Sequence, residues 1–401
     1  MKMRIWPGAL RGEVRAVPSK SYAHRALLCA LLAGEECSVE LEGLNDDIRS
    51  TMGCLRALGA GVEESPTNLR VLPGILPENP ALDCGESGST LRFLLPILAA
   101  LGKGASFFGA GRLPERPLEP LLGQLRQKGI RFEGERLPLR MEGRLRPGAF
   151  ELPGNISSQY VTGLLLALPV LEWESKIRLT SVLESAPYAQ MTLDVLASFG
   201  VRAVKIKEGF AVPGGQRFRS PGRYRVEGDW SQAAFWVAAN ALGSQIKIAG
   251  LSAQSAQGDR AILELTPRVL AGNSEINLSD CPDLAPILCV VAALSPGNAR
   301  VTGIERLRLK ESDRIACTLA CLRAVGAKII ETDHGLLING KERLRGGEAD
   351  CFGDHRLAMA LAIAALRCES AVTILGAEAV NKSYPRFFED FMSLGGKADA
   401  L

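Results

Sequence analysis

The 401-residue chain is 47% hydrophobic and 23% charged, with a formal net charge of +3. It is too long for one ordinary core and suits two globular domains, and so small a net charge does not by itself imply a polyanionic partner. The opening MKMRIWPGALRGE has no apolar run of signal-peptide length, and the longest apolar runs, such as 357–366, are too short to span a bilayer. The expectation is a soluble cytoplasmic protein without membrane association. Ten cysteines form no C-x-x-C, and there are only three histidines, His24, His334 and His355, so no metal site is expected. The thiols read as buried, reduced small hydrophobes.

Along the chain, a helix ending in Leu-x-x-x-Gly and followed by an apolar residue recurs, as CLRALGAGV, QLRQKGIRF, VLASFGVRA and CLRAVGAKI, and more weakly as PRVLAGNSEI and FMSLGGKAD. The glycines are Gly59, Gly129, Gly200, Gly272, Gly326 and Gly395, at intervals of 70, 71, 72, 54 and 69. Glycine past a helix end explains each signature locally; a fixed period argues for six copies of one supersecondary unit, trimmed in the fourth-to-fifth interval. Half a period out of phase, a polar tetrad opens an apolar helix: PSKS at 18–21, ESGS at 86–89, NISS at 155–158, EGDW at 227–230, SDCP at 279–282 and CFGD at 351–354. These helices are apolar on every face and are predicted to be buried. Their N-termini offer free N–H groups and positive dipole ends, a setting for anions. The Arg-rich stretches 131–146 and 202–225 hold few aromatics that could stack on bases, so solvated strands and loops explain them better than nucleic-acid binding.

The stretch RLRLKESDR, 306–314, packs four cations and two acids into nine residues before an apolar helix expected over 315–325, with Ser312 or Asp313 as its cap. The plainer alternative is a solvated helix end with i,i+3 ion pairs worth a few tenths of a kcal/mol. Its company counts against that. Lys20 and Arg25, Arg92, Arg112 and Arg116 in GAGRLPERP, Arg314, His355-Arg356 and Lys382 all stand at or near apolar-helix starts or in Gly/Pro-rich loops. Together they point to a substrate carrying phosphates or carboxylates. GESGST lacks the lysine of a nucleoside-triphosphate loop, and Gly109-Ala110-Gly111 is too short for a dinucleotide fingerprint. Asp283 and Glu311, acids among cations, suit general acid–base work on anionic substrates; simple helix capping is the alternative for each.

The ordered motifs PSKSYAHRAL, ESGSTLRF, GRLPERP, NISSQY, PDLAP, LKESDR, GDHRLAMA and NKSYP, spread over essentially the whole chain, resemble those of the enolpyruvyl transferase family. The resemblance implies transfer of the enolpyruvyl group of phosphoenolpyruvate to the 5-hydroxyl of shikimate 3-phosphate with release of phosphate. It implies that phosphoenolpyruvate is held by Lys20, Gly88, Arg92, Arg112, Gln159, Arg314, Arg356 and Lys382. Shikimate 3-phosphate would be held by Lys20, Ser21, Arg25, Ser157, Ser158, Gln159, Ser185, Tyr188, Asp283 and Lys310. Asp283 resembles the base for the attacking hydroxyl. Glu311, with Lys20, resembles the group that protonates and deprotonates the methylene carbon, and His355 a supporting residue beside it. Glu86 and Arg306 stand where many members have Asn.

The chemistry accounts for these residue types independently. Two polyanions must meet, and like charges at about 5 Å repel by roughly 3 kcal/mol per pair at an effective dielectric near 20. A ring of Arg and Lys removes that repulsion and fixes orientation. No metal or redox cofactor is required. The expected fold is α/β: two similar domains of three βαβαββ-type repeats each, with parallel buried helices inside and sheets outside, an inside-out α/β barrel. The domains are placed at 18–226 and at 1–17 with 227–401; by resemblance, the substrates lie between them and the protein is a monomer. The nearest rival is the sister transferase acting on UDP-N-acetylglucosamine, which usually carries a Cys where this chain reads GAGRLPERP. A nucleic-acid binder on the same repeat is more distant, because it leaves the acids among the cations unexplained.

Overall fold

A strand–helix–strand–helix–hairpin unit recurs along the chain, and its helices are of two kinds. The computed structural model describes residues 1–401. Strands β1 (Lys2–Ile5) and β2 (Arg11–Arg15) precede α1 (Lys20–Ala33), β3 (Cys37–Glu40), α2 (Asp46–Ala57) and the hairpin β4 (Gly61–Ser65) and β5 (Asn68–Leu72). Next come β6 (Ala81–Asp83), α3 (Gly88–Leu101), β7 (Ala105–Phe108), α4 (Leu121–Gln127), β8 (Ile130–Glu133) and β9 (Leu139–Gly143). The third copy is β10 (Ala149–Leu152), α5 (Ser158–Ala167), β11 (Ser175–Leu179), α6 (Ala186–Ser198), β12 (Val204–Ile206) and β13 (Gly209–Val212). The fourth, β14 (Arg223–Arg225), α7 (Trp230–Ala241), β15 (Gln245–Ala249) and α8 (Ile262–Leu270), has no hairpin. That missing hairpin is the short interval between Gly272 and Gly326. The fifth is β16 (Ser274–Asn277), α9 (Ala285–Ala293), β17 (Asn298–Thr302), α10 (Arg314–Ala324), β18 (Lys328–Thr332) and β19 (Gly335–Asn339). The last is β20 (Gly347–Asp350), α11 (His355–Ala365), β21 (Val372–Leu375), α12 (Phe387–Ser393) and β22 (Ala398–Ala400).

The chain divides into two compact units, Pro18–Glu227 and Met1–Val17 with Gly228–Leu401. The first unit contains the sheets β14-β3-β5-β4, β6-β7-β9-β8 and β10-β11-β13-β12. The second contains β15-β2, β16-β17-β19-β18 and β20-β21-β1-β22. In β6-β7-β9-β8 the first pair is parallel, because a helix intervenes, and the hairpin that follows is antiparallel. Strand β2 precedes α1 but pairs in parallel with β15, while β14 precedes α7 and pairs with β3. Strand β1 lies between β21 and β22.

Helices α3, α7, α9 and α11 are buried along nearly their whole length, as their unbroken apolar sequences require. Helix α5 is likewise buried, whereas α2 is amphipathic and buries Ile48, Thr51, Met52 and Leu55 on one stripe. Strands alternate, so that β11 buries Ser175 and Ile177 and turns Lys176 and Arg178 outward. The Arg-rich middle lies on such outward positions, paired with acids: Arg140 with Glu142 at 2.8 Å, Arg178 with Glu151 at 3.3 Å and Arg225 with Glu40 at 2.9 Å. All ten cysteines are free, and all but Cys317 are buried.

The polar tetrads do their capping unevenly. Ser87, Ser157, Asp229 and Asp354 accept first-turn N–H groups through their side chains. Ser19 makes no such bond, and α9 is entered through a 3₁₀ turn at Pro282–Leu284. Helices α3 and α5 come into close contact at Gly163, where a β-carbon would press on the backbone oxygen of Arg92 and lie 2.9 Å from Cγ of Pro96. Gly163→Ala is therefore expected to lower stability by about 1–3 kcal/mol, as overpacking of a core does. Thermal unfolding checks this; an unchanged melting temperature would mean that α3 and α5 can separate at no cost.

Candidate active site

In the unit Met1–Val17 with Gly228–Leu401, the buried helix starts bring one dense charge cluster together. Asp313 caps α10 through Ala316 N–H at 3.1 Å, which places Arg314 at the first helical position. Arg314 is 1% exposed. Its Nη1 donates to Asp283 Oδ1 at 2.9 Å, its Nη2 to Glu311 Oε2 at 2.7 Å and its Nε to Asp354 Oδ2 at 2.8 Å. Arg356, in the first turn of α11, donates from Nη2 to Asp283 Oδ2 at 3.0 Å, and Lys310 Nζ lies 3.7 Å from Asp283 Oδ1. Asp354 also accepts from the Ser312 hydroxyl at 2.9 Å and from the Arg356 backbone N–H at 3.0 Å. Burial pushes the Asp283 carboxyl up, but Arg356, Lys310 and Arg314 outweigh it and hold it well below the usual carboxylate range. For Arg314, burial lowers the guanidinium pKa, while Asp354, Glu311 and Asp283 together raise it further, so it is a permanent cation. His355 is buried with Nδ1 3.9 Å from Asp354 Oδ1, and Lys382 is buried at the end of a 3₁₀ turn.

The unit Pro18–Glu227 holds its cations differently. Arg25, 2% exposed, sits in a cage of neutral oxygens. Its Nε donates to Thr192 Oγ1 at 2.9 Å, Nη1 to the Ser21 carbonyl at 2.7 Å, and Nη2 to Thr162 Oγ1 at 3.1 Å and the Tyr188 carbonyl at 3.0 Å. Burial lowers its pKa to about 10, which leaves it charged at neutral pH. Lys20, at the start of α1, reaches Asp47 at 2.6 Å. Arg92 donates to Gln159 Oε1 at 2.6 Å and to the Pro117 carbonyl at 3.0 Å, its guanidinium 5.5 Å from the Tyr160 ring centre; Gln159 in turn donates to Ser89 at 3.0 Å. Ser157 caps α5 and Ser158 begins it. Ser185 takes left-handed backbone, φ 56°, at the start of α6, a strained choice for a residue with a β-carbon.

The structure thus brings together Asp283, Lys310, Glu311, Arg314 and Arg356 in one unit. In the other it joins Ser21, Arg25 and Tyr188, and separately Arg92 and Gln159. Arg112 is not drawn into either group: its Nε faces Glu115 at 3.3 Å. Arg306 donates to the Ser279 carbonyl at 2.7 Å, and Glu86 lies against Gly111, where a β-carbon would collide with the Glu86 carboxylate.

A family model described as EPSP synthase (3-phosphoshikimate 1-carboxyvinyltransferase) matches residues 6–391. The chain belongs to the EPSP synthase family. Relatives named 3-phosphoshikimate 1-carboxyvinyltransferase include one from Clostridium acetobutylicum, 43% identical with 98% of this chain and 97% of the relative covered. Another, from Clostridium perfringens, is 42% identical with 98% of each covered. The fold matches that of a solved EPSP synthase from Acinetobacter baumannii with a TM-score of 0.83 over 100% of both chains, at 23% identity.

Family motifs did not single out three acids that the geometry does. Asp354 was visible only as a cap in CFGD, and Asp47, the Lys20 partner, only as one of two acids opening α2. Asp259 is buried, its Oδ1 meets no donor, and burial first, then Asp283, pushes its carboxyl up to about 7.

Behind Lys20, His24 Nδ1 meets Thr51 Oγ1 at 2.7 Å, Thr51 meets Thr90 at 2.7 Å, and Thr90 donates to Ser87 Oγ at 2.8 Å. Burial, with Lys20 and Arg25 adding to it against Asp47, lowers the His24 pKa to about 3. Between pH 6.5 and 3 the unfolded chain therefore binds a proton that the folded one refuses. Stability is full above pH 6.5 and falls as the pH drops, by about 2–3 kcal/mol at pH 4.5. Urea unfolding at pH 7 and 4.5 should show His24→Gln losing that much less than the wild type; equal losses would place the titration elsewhere.

Proposed function

We propose that the protein, acting as a cytoplasmic monomer, transfers the enolpyruvyl group of phosphoenolpyruvate to the 5-hydroxyl of shikimate 3-phosphate and releases phosphate. Membership of the EPSP synthase family supports the reaction. The observation that carries the residue roles is the single buried guanidinium of Arg314, which ties Asp283 and Glu311 into one cluster. In this reading the 5-hydroxyl oxygen bonds to C2 of phosphoenolpyruvate and gives its proton to Asp283, while C3 takes a proton from Glu311, assisted by Lys20. C3 then returns its proton to Glu311, the bond from C2 to the phosphate oxygen breaks with its electron pair going to that oxygen, and inorganic phosphate leaves, taking up the proton that Asp283 had accepted. His355 supports the carbon-side transfer.

Without substrate, Asp283 is a poor base, because Arg314 and Arg356 hold its charge. The anionic groups of phosphoenolpyruvate compete for those same guanidinium groups. As they take them, Asp283 regains basicity, so the base comes into play when the vinyl phosphate is in place. Arg25 and its hydroxyl cage, with Ser21, Ser157, Ser158, Ser185, Tyr188 and Lys310, would receive shikimate 3-phosphate. Gly88, Arg92, Arg112, Gln159 and Lys382 would complete the phosphoenolpyruvate side. We read the two units as the two domains, each an inside-out α/β barrel; the burial of the helices and the solvated outer face of the strands support that reading.

Phosphate release with phosphoenolpyruvate and shikimate 3-phosphate tests the reaction, with UDP-N-acetylglucosamine as the competing acceptor; turnover only with the latter would overturn it. Glu311→Gln should lower kcat by roughly 10²–10⁴, about 3–5 kcal/mol of barrier, while calorimetry still detects shikimate 3-phosphate binding. A near-normal kcat would remove Glu311 from proton transfer.

A further inference from the structure

Asp259 lies on the 3₁₀ turn Gly258–Ala261 that leads into α8, and no step of the proposed reaction uses it. The turn packs against α7. Gln257 ties the two together: its Oε1 accepts from the Trp230 N–H at 3.1 Å, and its Nε2 donates to the Gly228 carbonyl at 2.8 Å. Asp259 is 4% exposed, and its Oδ1 meets no donor. On the facing first turn of α7, Ser231 Oγ and Gln232 Oε1 are also buried without a partner. The next residue gives no help, since Arg260 turns away to the Ala253 carbonyl at 2.8 Å. A buried carboxylate needs donors on its oxygens or a cation in contact, and Asp259 Oδ1 has neither.

The charges around it come from three elements. Asp229 caps α7, Asp283 stands in the turn before α9, and Arg356 lies in the first turn of α11. Cys281 also faces it, a thiol that burial pushes up and so keeps protonated. The one cation among these is engaged elsewhere: Arg356 Nη2 donates to Asp283 Oδ2 at 3.0 Å. A proton on Asp259 resolves the arrangement. It removes a charge that has no partner, and it turns an oxygen without a donor into a donor, with the Ser231 hydroxyl beside it to accept. Burial, and after it the charge on Asp283, outweigh Arg356 and raise the carboxyl to about 7.

We propose that Asp259 is a positioning residue that acts through Arg356: held neutral, it leaves that guanidinium to Asp283 and phosphoenolpyruvate, and once ionised it draws on the same guanidinium. This rests on the reading that phosphoenolpyruvate is a substrate. The proton that Asp259 loses goes to water, and Asp259 makes or breaks no bond of either substrate. The sign follows from the charge. As the pH rises through 7, a negative charge appears beside Arg356, and the hold on an incoming anion weakens.

The test uses the full chain and Asp259→Asn, which has the shape of the neutral acid and cannot ionise. In the phosphate-release assay, the ratio of wild-type to variant KM for phosphoenolpyruvate should be near one at pH 6 and rise about tenfold by pH 8, the scale of one pKa unit of coupling. Taking the ratio cancels the titration of phosphoenolpyruvate itself. A ratio that stays flat with pH would overturn the proposal. Infrared difference spectra supply a readout that needs no variant: the wild type should lose a carboxylic-acid C=O stretch as the pH rises through 7, and a folded Asp259→Asn should lack that band. A wild type without such a band overturns the proposal even if the variant does not fold. A wild type that shows the band but releases no phosphate from the pair would instead sink the reaction itself, so the two failures are distinguishable.

Discussion

A buried guanidinium at the wrong end of a helix is the constraint around which one unit is arranged. Arg314 occupies the first position of α10, where the helix dipole disfavours a cation, and it is almost wholly removed from water. Carboxylates on three separate segments, Asp283, Glu311 and Asp354, meet it from different sides. Asp354 is itself fixed as the cap of α11, so the same side chain anchors a second helix start and, through it, Arg356. Removing any one partner would strand charge in a place where stranding costs several kcal/mol. The cluster is thereby forced into one geometry, as the proton transfers proposed for Asp283 and Glu311 require.

The other unit handles charge in the opposite way. Arg25 is surrounded by hydroxyls and carbonyls rather than acids, and Arg116 is left without any acceptor for its Nε. These groups are oriented but not neutralised. Lys20 is the exception in this unit, paired with the Asp47 carboxylate at 2.6 Å. In the Asp283 cluster, by contrast, an anion must compete for its cations. Both arrangements rest on the same device of a polar start on an apolar helix.

How much of this was legible follows from which forces are local. The all-apolar helices, their Gly-terminated neighbours and the near-constant interval were readable because burial and capping leave marks within a few residues. Asp313 as the α10 cap was one of two readings open for LKESDR, and the helix begins one residue earlier than expected, at Arg314. The pairing of Lys20 with Asp47 and of Arg314 with Asp354 was not legible, since these residues are far apart in sequence and only the packing of successive repeats joins them. Arg112 and Arg116 look alike in GRLPERP. What separates them is that Glu115 takes Arg112, while Arg116 turns toward Gly88.

The place of β1 sets the order in which the molecule can be assembled. Ile5 pairs with Val372 on one side and with Ala398 on the other, and β2 pairs with Gln245–Ala249. The unit Pro18–Glu227 is continuous and can close while the ribosome is still at work. The first seventeen residues cannot: their pairing partners emerge tens of seconds later at ordinary rates of synthesis. Until then β1 and β2 are unpaired strands in search of a sheet, and the acids and cations around Arg314 have no finished core to hold them. Late closure of that sheet makes the second unit the slower half of biosynthesis, and the half in which chaperone capture and edge-to-edge aggregation have the longest opportunity.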